Sequence, residues 1–230
     1  MDKYTRFYTD KIPEWLRRDY KGQRILDLGA GDGEILYGLW KNKLIDRNVN
    51  IVAVEILEER YRTTRKMLKS INLRSKCLNA DATKLCSMHD SSFDFIICNQ
   101  VIEHIEDDVK ALEEMHRILK PDGEIYLSTV YKQFVNMGYY RNAKGERTLD
   151  PTHVREFKNE NELKLKFWKK FKVKEERKTM QWFAVTDFIL RRMNLMGDIY
   201  EKKPWLAKLR KIKLPIFGYY NWEMILCKER

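Results

Sequence analysis

Two short segments contain the histidine and glutamate side chains that are candidates for acid–base catalysis. NQVIEHIED (99–107) holds Glu103 and His104, and DPTHVREF (150–157) holds His153 together with a further glutamate. Histidine titrates near neutral pH, and a paired carboxylate can orient it for proton transfer. The catalytic candidates are therefore His104, His153 and Glu103. A structural alternative is that Glu103 and His104 cap or orient the next helix.

A glycine-rich turn provides a second chemical signal. LDLGAGDGEI (26–35) places Gly29, Gly31 and Gly33 between an apolar run and a helix start. Such a turn lets a ligand approach the backbone. The dinucleotide pattern GxGxxG would need glycine where Glu34 stands, and the Walker pattern is absent. The turn is therefore not predicted to bind a pyrophosphate.

The acidic side chains of this turn indicate the charge of its ligand. Asp27, Asp32 and Glu34 would repel a phosphate group seated at the helix N-terminus. They favour a ligand that has positive charge and no phosphate. S-adenosylmethionine, a sulfonium cation with an amino-acid ammonium, is such a ligand.

Four motifs in sequence order resemble those of class I S-adenosylmethionine-dependent methyltransferases. LDLGAGDG resembles the first motif, and Glu55 stands where the family's acidic residue binds both ribose hydroxyls. NADA (79–82) resembles the segment whose acidic residue, here Asp81, faces the adenine amino group, with Ala82 beside it. FDFIICNQVIEHI resembles the fourth strand with its loop, and ILKPDGEIYLSTV the entry of the fifth strand.

The resemblance implies that the chain binds S-adenosylmethionine and releases S-adenosylhomocysteine. The implied cofactor-binding residues are Asp27, Gly29, Gly31, Gly33, Glu55, Ile56, Asp81, Ala82 and Asn99.

The loop after the fourth strand permits a narrower comparison. Ubiquinone-pathway O-methyltransferases and small-RNA terminal 2′-O-methyltransferases carry ExxEH there, and in the RNA enzymes a later histidine completes a divalent-metal site. Gln100, Glu103, His104 and His153 stand at similar places in this sequence. Gln100 replaces the first carboxylate, which removes a negative charge and weakens the binding of a hard cation. We therefore expect no metal, and these four residues are the candidate ligands if one binds.

Alternating β-rich and helical patterns predict the fold. The β-rich runs are RILDL (24–28), NIVAVE (50–55), KCLNA (76–80), FDFIIC (93–98) and GEIYLST (123–129). Helical faces lie between them, and one helix is predicted to start at Asp107 or Asp108. This alternation, with the resemblance, predicts an α/β fold: a doubly wound, Rossmann-like, mostly parallel seven-stranded sheet with helices on both faces.

The pattern loosens after residue 130. NENELKLKFWKK (159–170) predicts a helix, and FKVKEERKT (171–179) and YYNWEMILCK (219–228) predict strands. The aromatic and basic segment 180–218 between those strands is interpreted as a helical insert that caps the ligand-binding edge. RFYTDKIPEWL (6–16) is interpreted as a short amphipathic helix over the cofactor.

We interpret residues 1–230 as a single methyltransferase domain. Residues 20–130 would form the cofactor-binding core, and residues 131–230 would add substrate and cap elements with the closing strands. The opening residues carry no apolar signal sequence, and no apolar run approaches the roughly 18 residues of a membrane span. We expect a cytoplasmic protein that is able to associate with a membrane surface.

Charge is distributed unevenly along the chain. Residues 1–130 carry 21 Lys and Arg against 22 Asp and Glu, a net −1, whereas residues 131–230 carry 24 against 12, a net +12. The basic part would attract an anionic membrane surface or nucleic acid.

Three functions fit these observations. The leading hypothesis is methyl transfer to an oxygen of a small-molecule or lipid-linked acceptor. An RNA or DNA methyltransferase that uses the basic C-terminal segment is the alternative, and a non-catalytic cofactor-binding partner subunit is the third. The patterns do not predict the oligomeric state.

Overall fold

The computed structural model describes residues 12–138, 140–167, 170–192, 203–209 and 211–229. The strands are β1 Arg24–Leu28, β2 Asn50–Glu55, β3 Ser75–Asn79, β4 Phe93–Asn99, β5 Leu119–Lys132, β6 Tyr140–Arg141, β7 Arg147–Thr148, β8 Phe171–Ala184 and β9 Lys213–Lys228. The α-helices are α1 Glu34–Lys41, α2 Glu58–Ser70, α3 Asp108–Ile118, α4 Glu160–Lys164, α5 Val185–Arg192 and α6 Pro204–Leu209. Short 3-10 helices cover Glu14–Leu16, Ile102–His104 and Leu165–Phe167.

Seven strands form the main sheet, in the order β3-β2-β1-β4-β5-β9-β8. The first five strands of that order are parallel, and β9 runs antiparallel to both β5 and β8. The predicted mostly parallel, seven-stranded fold is confirmed. Strands β6 and β7 pair separately as a small hairpin, which the sequence patterns did not predict.

The sheet is covered by apolar side chains on both faces. On one face Leu26 and Val52 join a cluster with Met115 of α3, and on the other Ile25 and Ile51 join a cluster with residues of α1 and α2. Successive strand residues point to opposite faces, so a strand buried on both faces reads as a continuous apolar run. This explains why RILDL and NIVAVE were recognisable as central strands.

The helical insert is shorter than predicted. Strand β8 continues to Ala184 and β9 begins at Lys213, so the insert spans 185–212 rather than 180–218. Tyr219 pairs with Lys132 at the carboxyl end of β5, and the residues of β9 before Tyr219 pair only with β8. The two strands therefore project beyond the sheet as a ribbon of residues 180–184 and 213–218.

One predicted helix is shorter in the structure, and a second begins where it was predicted. The helix over 159–170 ends as α-helix at Lys164 and continues as the 3-10 turn to Phe167, and Trp168 and Lys169 lie outside the described residues. Helix α3 begins at Asp108, as predicted, after the N-cap residue Asp107.

The predicted N-terminal helix falls partly outside the described residues, which begin at Ile12. Ile12 and Leu16 are buried in the cluster with α1 and α2. Among the described residues no helix is long and apolar enough to span a membrane.

The half-buried Arg177 joins the N-terminal turn to the antiparallel part of the sheet. Arg177 Nε on β8 donates to Glu223 Oε2 on β9 at 2.8 Å, and Arg177 Nη1 donates to Glu14 Oε2 at 2.8 Å. The guanidinium also lies 4.6 Å from the centre of the Trp15 ring. Tyr126 Oη donates to the other oxygen of Glu223 at 2.6 Å.

We expect Arg177→Met to lower the free energy of unfolding by about 2 to 3 kcal/mol, because it leaves the buried Glu223 carboxylate without its cation. Lys174→Met is the matched control, since Lys174 on the same strand makes an exposed ion pair with Glu124, whose loss costs under about 1 kcal/mol. Urea unfolding measures both variants. Equal effects of the two substitutions would contradict the role given to Arg177.

Candidate active site

The turn after β1 is shaped by three glycines with positive φ: Gly29 at 71°, Gly31 at 55° and Gly33 at 84°. A Cβ on Gly29 would lie 2.5 Å from the Val101 side chain, so no larger residue fits there. Gly31 differs, because the nearest atom to a Cβ at this position is Arg60 Nη1 at 4.0 Å. The backbone at Gly31 is therefore open to a ligand.

Glu55 at the end of β2 holds this turn. Its Oε2 accepts from Gly31 N and its Oε1 accepts from Leu57 N, both at 2.8 Å. A carboxylate has about four acceptor positions, so two remain for hydroxyl donors such as those of a ribose. Ile56 and Leu57 beside it are exposed apolar side chains, suited to cover a flat ring.

Asp27 presents a buried carboxylate oxygen without a partner. The residue is 2% exposed, and its Oδ2 makes no hydrogen bond within the described part of the chain. Burial, and secondarily the charge of Glu55, raise the pKa of Asp27 to about 7. A cationic ligand would restore the charged form, so this site fits the ammonium of S-adenosylmethionine.

The remaining predicted cofactor residues follow β3 and β4. Asp81 Oδ1 accepts from Thr83 N and Thr83 Oγ1, both at 2.8 Å, and the first of these bonds is the main reason that the pKa of Asp81 is lowered. Ala82 packs against the core, and Asn99 Oδ1 accepts from Ser128 Oγ at 2.8 Å. Asp81 is thus an ionised acceptor at the edge of the sheet.

A histidine–glutamate pair lies beyond the carboxyl ends of β4 and β5. His153 Nδ1 donates to Glu156 Oε1 at 2.8 Å, and both residues are buried. Glu156 Oε1 also accepts from Leu149 N at 2.6 Å, and its Oε2 accepts from Tyr219 Oη at 3.1 Å and lies 3.3 Å from Lys132 Nζ. An ionised carboxylate only accepts, so His153 Nδ1 carries a proton and Nε2 keeps a lone pair in the neutral ring.

The charges around His153 favour its protonated form. Burial disfavours an imidazolium, but the hydrogen bond to Glu156 and the charge of Glu103 outweigh it and raise the pKa of His153. Burial raises the pKa of Glu103 to about 7. Thr129 Oγ1 donates to Glu103 Oε2 at 2.9 Å. His153 and Glu103, whose pKa values are both raised, therefore lie in the same cluster.

His104 and Gln100 complete the cluster. The rings of His104 and His153 are 4.8 Å apart, and burial together with the His153 charge lowers the pKa of His104. One ligand atom each of Glu103, His104 and His153 lies within 4.8 Å of the others. In the amide orientation that satisfies both of its groups, the Gln100 nitrogen donates to Glu103 Oε1 at 3.3 Å.

The two acid–base segments meet because residues 153–157 dock beside β5. Strand β4 ends at Asn99, and Phe157 forms a parallel bridge with Tyr131 further along β5. Val154 N also donates to Glu103 O at 2.9 Å. The segment takes the place beside β5 that β4 leaves.

The interpretation that Glu103 and His104 cap the next helix is wrong. The side chain of Asp107 caps α3, since its Oδ1 accepts from Lys110 N at 3.0 Å. Glu103 instead faces Thr129 and Gln100.

The chain is similar to known proteins in sequence and in fold. A family described as a methyltransferase domain matches residues 26–127. The ubiquinone biosynthesis O-methyltransferase of Aromatoleum aromaticum is 21% identical over 123 residues, which are 53% of this chain and 50% of that protein. The YcgJ protein from Bacillus subtilis has a TM-score of 0.62 and 21% identity, with 93% of this chain and 94% of that chain covered. The [4+2]-cyclase SpnF has a TM-score of 0.64 and 18% identity, with coverages of 90% and 76%.

Over residues 26–127 the chain is similar to the methyltransferase domain that this family describes, and its fold is that of the structures named above. It spans about half the length of the curated relatives it matches. The likeness to YcgJ and SpnF concerns the fold, and the name of SpnF shows that this fold also hosts a reaction of another kind. The chemistry must therefore be argued from the side chains.

The site residues predicted from the sequence fall into two groups in the structure. The nine cofactor candidates lie in or directly after the carboxyl ends of β1 to β4, and their binding roles remain predictions. The four acid–base or metal candidates lie together in the second cluster.

Sequence reasoning missed the residues that support the second cluster. Lys132 and Tyr219 hold Glu156, and Thr129 holds Glu103. Their only sequence signal is their position in or near the closing strands, which does not show what they face.

We expect S-adenosylmethionine to bind more weakly as the pH falls below about 7, because the protonated form of Asp27 cannot pair with an ammonium. The carboxylate is the form present above this pKa, so affinity is retained at higher pH. Asp27→Asn should lower the affinity at least about tenfold and remove this pH dependence. Calorimetric titration measures both effects.

Asp46→Asn is the control, since it removes the same charge from an exposed loop. Equal affinity of Asp27→Asn and the control would show that Asp27 does not contact the cofactor.

We expect excess chelator to leave cofactor binding and methyl transfer unchanged. The cluster offers one carboxylate, Glu103, and the neutral amide of Gln100, whereas hard divalent cations favour several carboxylates. Turnover after chelation and metal content by mass spectrometry test this. A stoichiometric metal whose removal abolishes turnover would instead make Glu103, His104 and His153 its ligands.

Proposed function

We propose that the protein transfers a methyl group from S-adenosylmethionine to an oxygen of a small-molecule or lipid-linked acceptor. The observation that carries this proposal is the buried His153, whose Nδ1 is fixed by Glu156, so that Nε2 carries the lone pair when the ring is neutral. A hydroxyl is a poor nucleophile until a base accepts its proton. The name of the Aromatoleum relative, a ubiquinone biosynthesis O-methyltransferase, also supports oxygen as the acceptor atom.

The cofactor site fits its ligand in charge and shape. When bound, S-adenosylmethionine supplies a methyl group on a sulfonium, which is a good leaving group. Asp27 would hold the ammonium, Glu55 the ribose hydroxyls and Asp81 the adenine amino group, while Gly31 lets the ligand reach the backbone. These contacts position the cofactor, and alignment supplies much of the acceleration in a displacement of this kind.

The acceptor's proton would move to His153 Nε2. Glu156 stabilises the imidazolium that results, because its carboxylate accepts from Nδ1. Tyr219 and Lys132 keep Glu156 ionised and fixed in the buried site. Glu103, with a pKa of about 7, would accept a hydrogen bond from the acceptor or add negative charge beside the imidazolium.

We further propose that residues 1–230 act as one domain. The antiparallel strand β9 pairs with β5 over nine residue pairs, which joins residues 131–230 to the sheet of the cofactor core. Residues 131–230 would then shape the acceptor side, in a cytoplasmic protein.

Incubation with methyl-labelled S-adenosylmethionine and cell extract tests the acceptor class. We expect label in the lipid or small-molecule fraction, and none with Asp27→Asn. Label in nucleic acid would instead favour an RNA or DNA methyltransferase, and label only after a second protein is added would favour a partner subunit.

We expect His153→Ala to lower kcat by about 100-fold or more and to leave the affinity for S-adenosylmethionine within about twofold. In the wild type kcat should rise with pH through the pKa of His153, since the neutral ring is the base. Glu156→Gln should lower kcat and move this acidic limb to lower pH, because the charge that raises the pKa of His153 is removed. Full activity of His153→Ala would contradict the proposed base.

A further inference from the structure

Large apolar side chains are uncovered at the end of the sheet that carries the active site. We call this region the edge surface: loop 133–137, the ribbon of residues 180–184 and 213–218, helix α6 and Ile212. Its exposed apolar residues are Phe134 at 99%, Val135, Met137, Trp182 at 54%, Trp205 at 58%, Leu209, Ile212, Leu214 and Phe217 at 54%. Single exposed apolar residues are ordinary, but a group of this size marks a binding surface.

Backbone hydrogen bonds connect these segments. Met137 N donates to Phe217 O at 3.0 Å, which places the loop along the ribbon. Trp182 pairs with Pro215 across the ribbon. Val185 N donates to Ile212 O at 3.2 Å, which joins the residues after α6 to the base of the insert. The uncovered side chains therefore belong to one region of the molecule.

The edge surface is also strongly basic. Residues 203–218 contain five Lys and Arg and no Asp or Glu. Lys203, Lys208, Lys211 and Lys213 are exposed. Aromatic and aliphatic side chains among exposed lysines match the boundary of an anionic bilayer, where apolar groups enter the acyl region and cations meet the headgroups.

We propose that the edge surface docks the protein on an anionic lipid bilayer. Nucleic acid fits it less well, because Val135, Ile212 and Leu214 cannot stack on bases as aromatic residues do. A second copy of the chain also fits less well, since two such basic surfaces would repel each other.

The edge surface lies close to the candidate active site, so docking on a bilayer would affect access to that site. Loop 133–137 directly follows β5, the strand whose Thr129 contacts Glu103. The bilayer would therefore lie beside the acceptor side of the active site and deliver an amphiphilic acceptor to it. This consequence rests on the proposed function, whereas the docking itself does not.

Vesicle sedimentation of the full chain tests the docking. We expect binding to phosphatidylcholine vesicles to strengthen at least about tenfold when phosphatidylglycerol is included. Raised salt should weaken this binding without abolishing it, because the apolar contacts are not screened.

Two sets of substitutions separate the apolar and charged contributions. Phe134→Ser with Phe217→Ser should weaken binding to all vesicles about tenfold or more. Trp40→Ser, at an exposed site on α1, is the apolar control. Lys208, Lys211 and Lys213, each changed to Gln, should remove the preference for phosphatidylglycerol.

The matched charge control changes Lys66, Lys69 and Lys76 to Gln. These exposed lysines lie on α2 and β3, at the opposite edge of the sheet, and their loss alters the net charge equally. Binding equal to the wild type is expected. Equal losses in the two triple variants would overturn the docking surface and leave only an effect of net charge.

Other outcomes would also overturn the proposal. These are RNA binding without vesicle binding, or dimerisation that Phe134→Ser with Phe217→Ser abolishes. Calorimetry with S-adenosylmethionine distinguishes this failure from failure of the proposed function, since every variant named here retains the cofactor site.

Discussion

The buried carboxylate of Glu156 joins three separate parts of the chain. It accepts from His153 and Leu149 in one loop, from Tyr219 on β9, and lies against Lys132 on β5. A carboxylate removed from water is costly unless it is hydrogen-bonded and paired with cations. These partners hold the Glu156 carboxylate in place. Glu156 in turn fixes the position and the tautomer of His153. The acid–base site and the pairing of β5 with β9 depend on each other for this reason.

The electrostatic arrangement around the cofactor candidates is the opposite of the one around Glu156. Burial, and secondarily the charge of Glu55, raise the pKa of Asp27, and Asp27 Oδ2 has no hydrogen bond in the described structure. Burial without a cation is unfavourable for the charged form. A cationic ligand beside Asp27 would therefore gain affinity by pairing with its carboxylate. Glu156 is satisfied by the protein itself, whereas Asp27 Oδ2 has no partner among the described residues, which is why we propose that Asp27 holds the ammonium of the cofactor.

Sequence analysis predicted the candidate site residues where they follow one another closely along the chain. The turn from Asp27 to Gly33 and the carboxylate of Glu55 lie at strand ends, and apolar runs identify those strands without knowledge of the fold. The contact of Glu103 with the segment of His153 was not predictable in the same way. It depends on Phe157 bridging to β5 beyond the end of β4, a register set by tertiary packing. The ribbon was missed because Pro215 and Gly218 interrupt the strand pattern of residues 213–218, so the whole segment 180–218 was interpreted as a helical insert.

This division has a consequence for specificity. Local turns at the ends of parallel strands form the cofactor side, so short motifs are enough to specify it. In the proposed function the acceptor side would be formed by a docked loop, a long antiparallel strand and the insert, which lie outside the cofactor motifs. A change in residues 131–230 would then alter the acceptor while Asp27 and Glu55 keep their positions. The edge surface lies in the same region, so the features that would select an acceptor and those that would bring the protein to it can vary together.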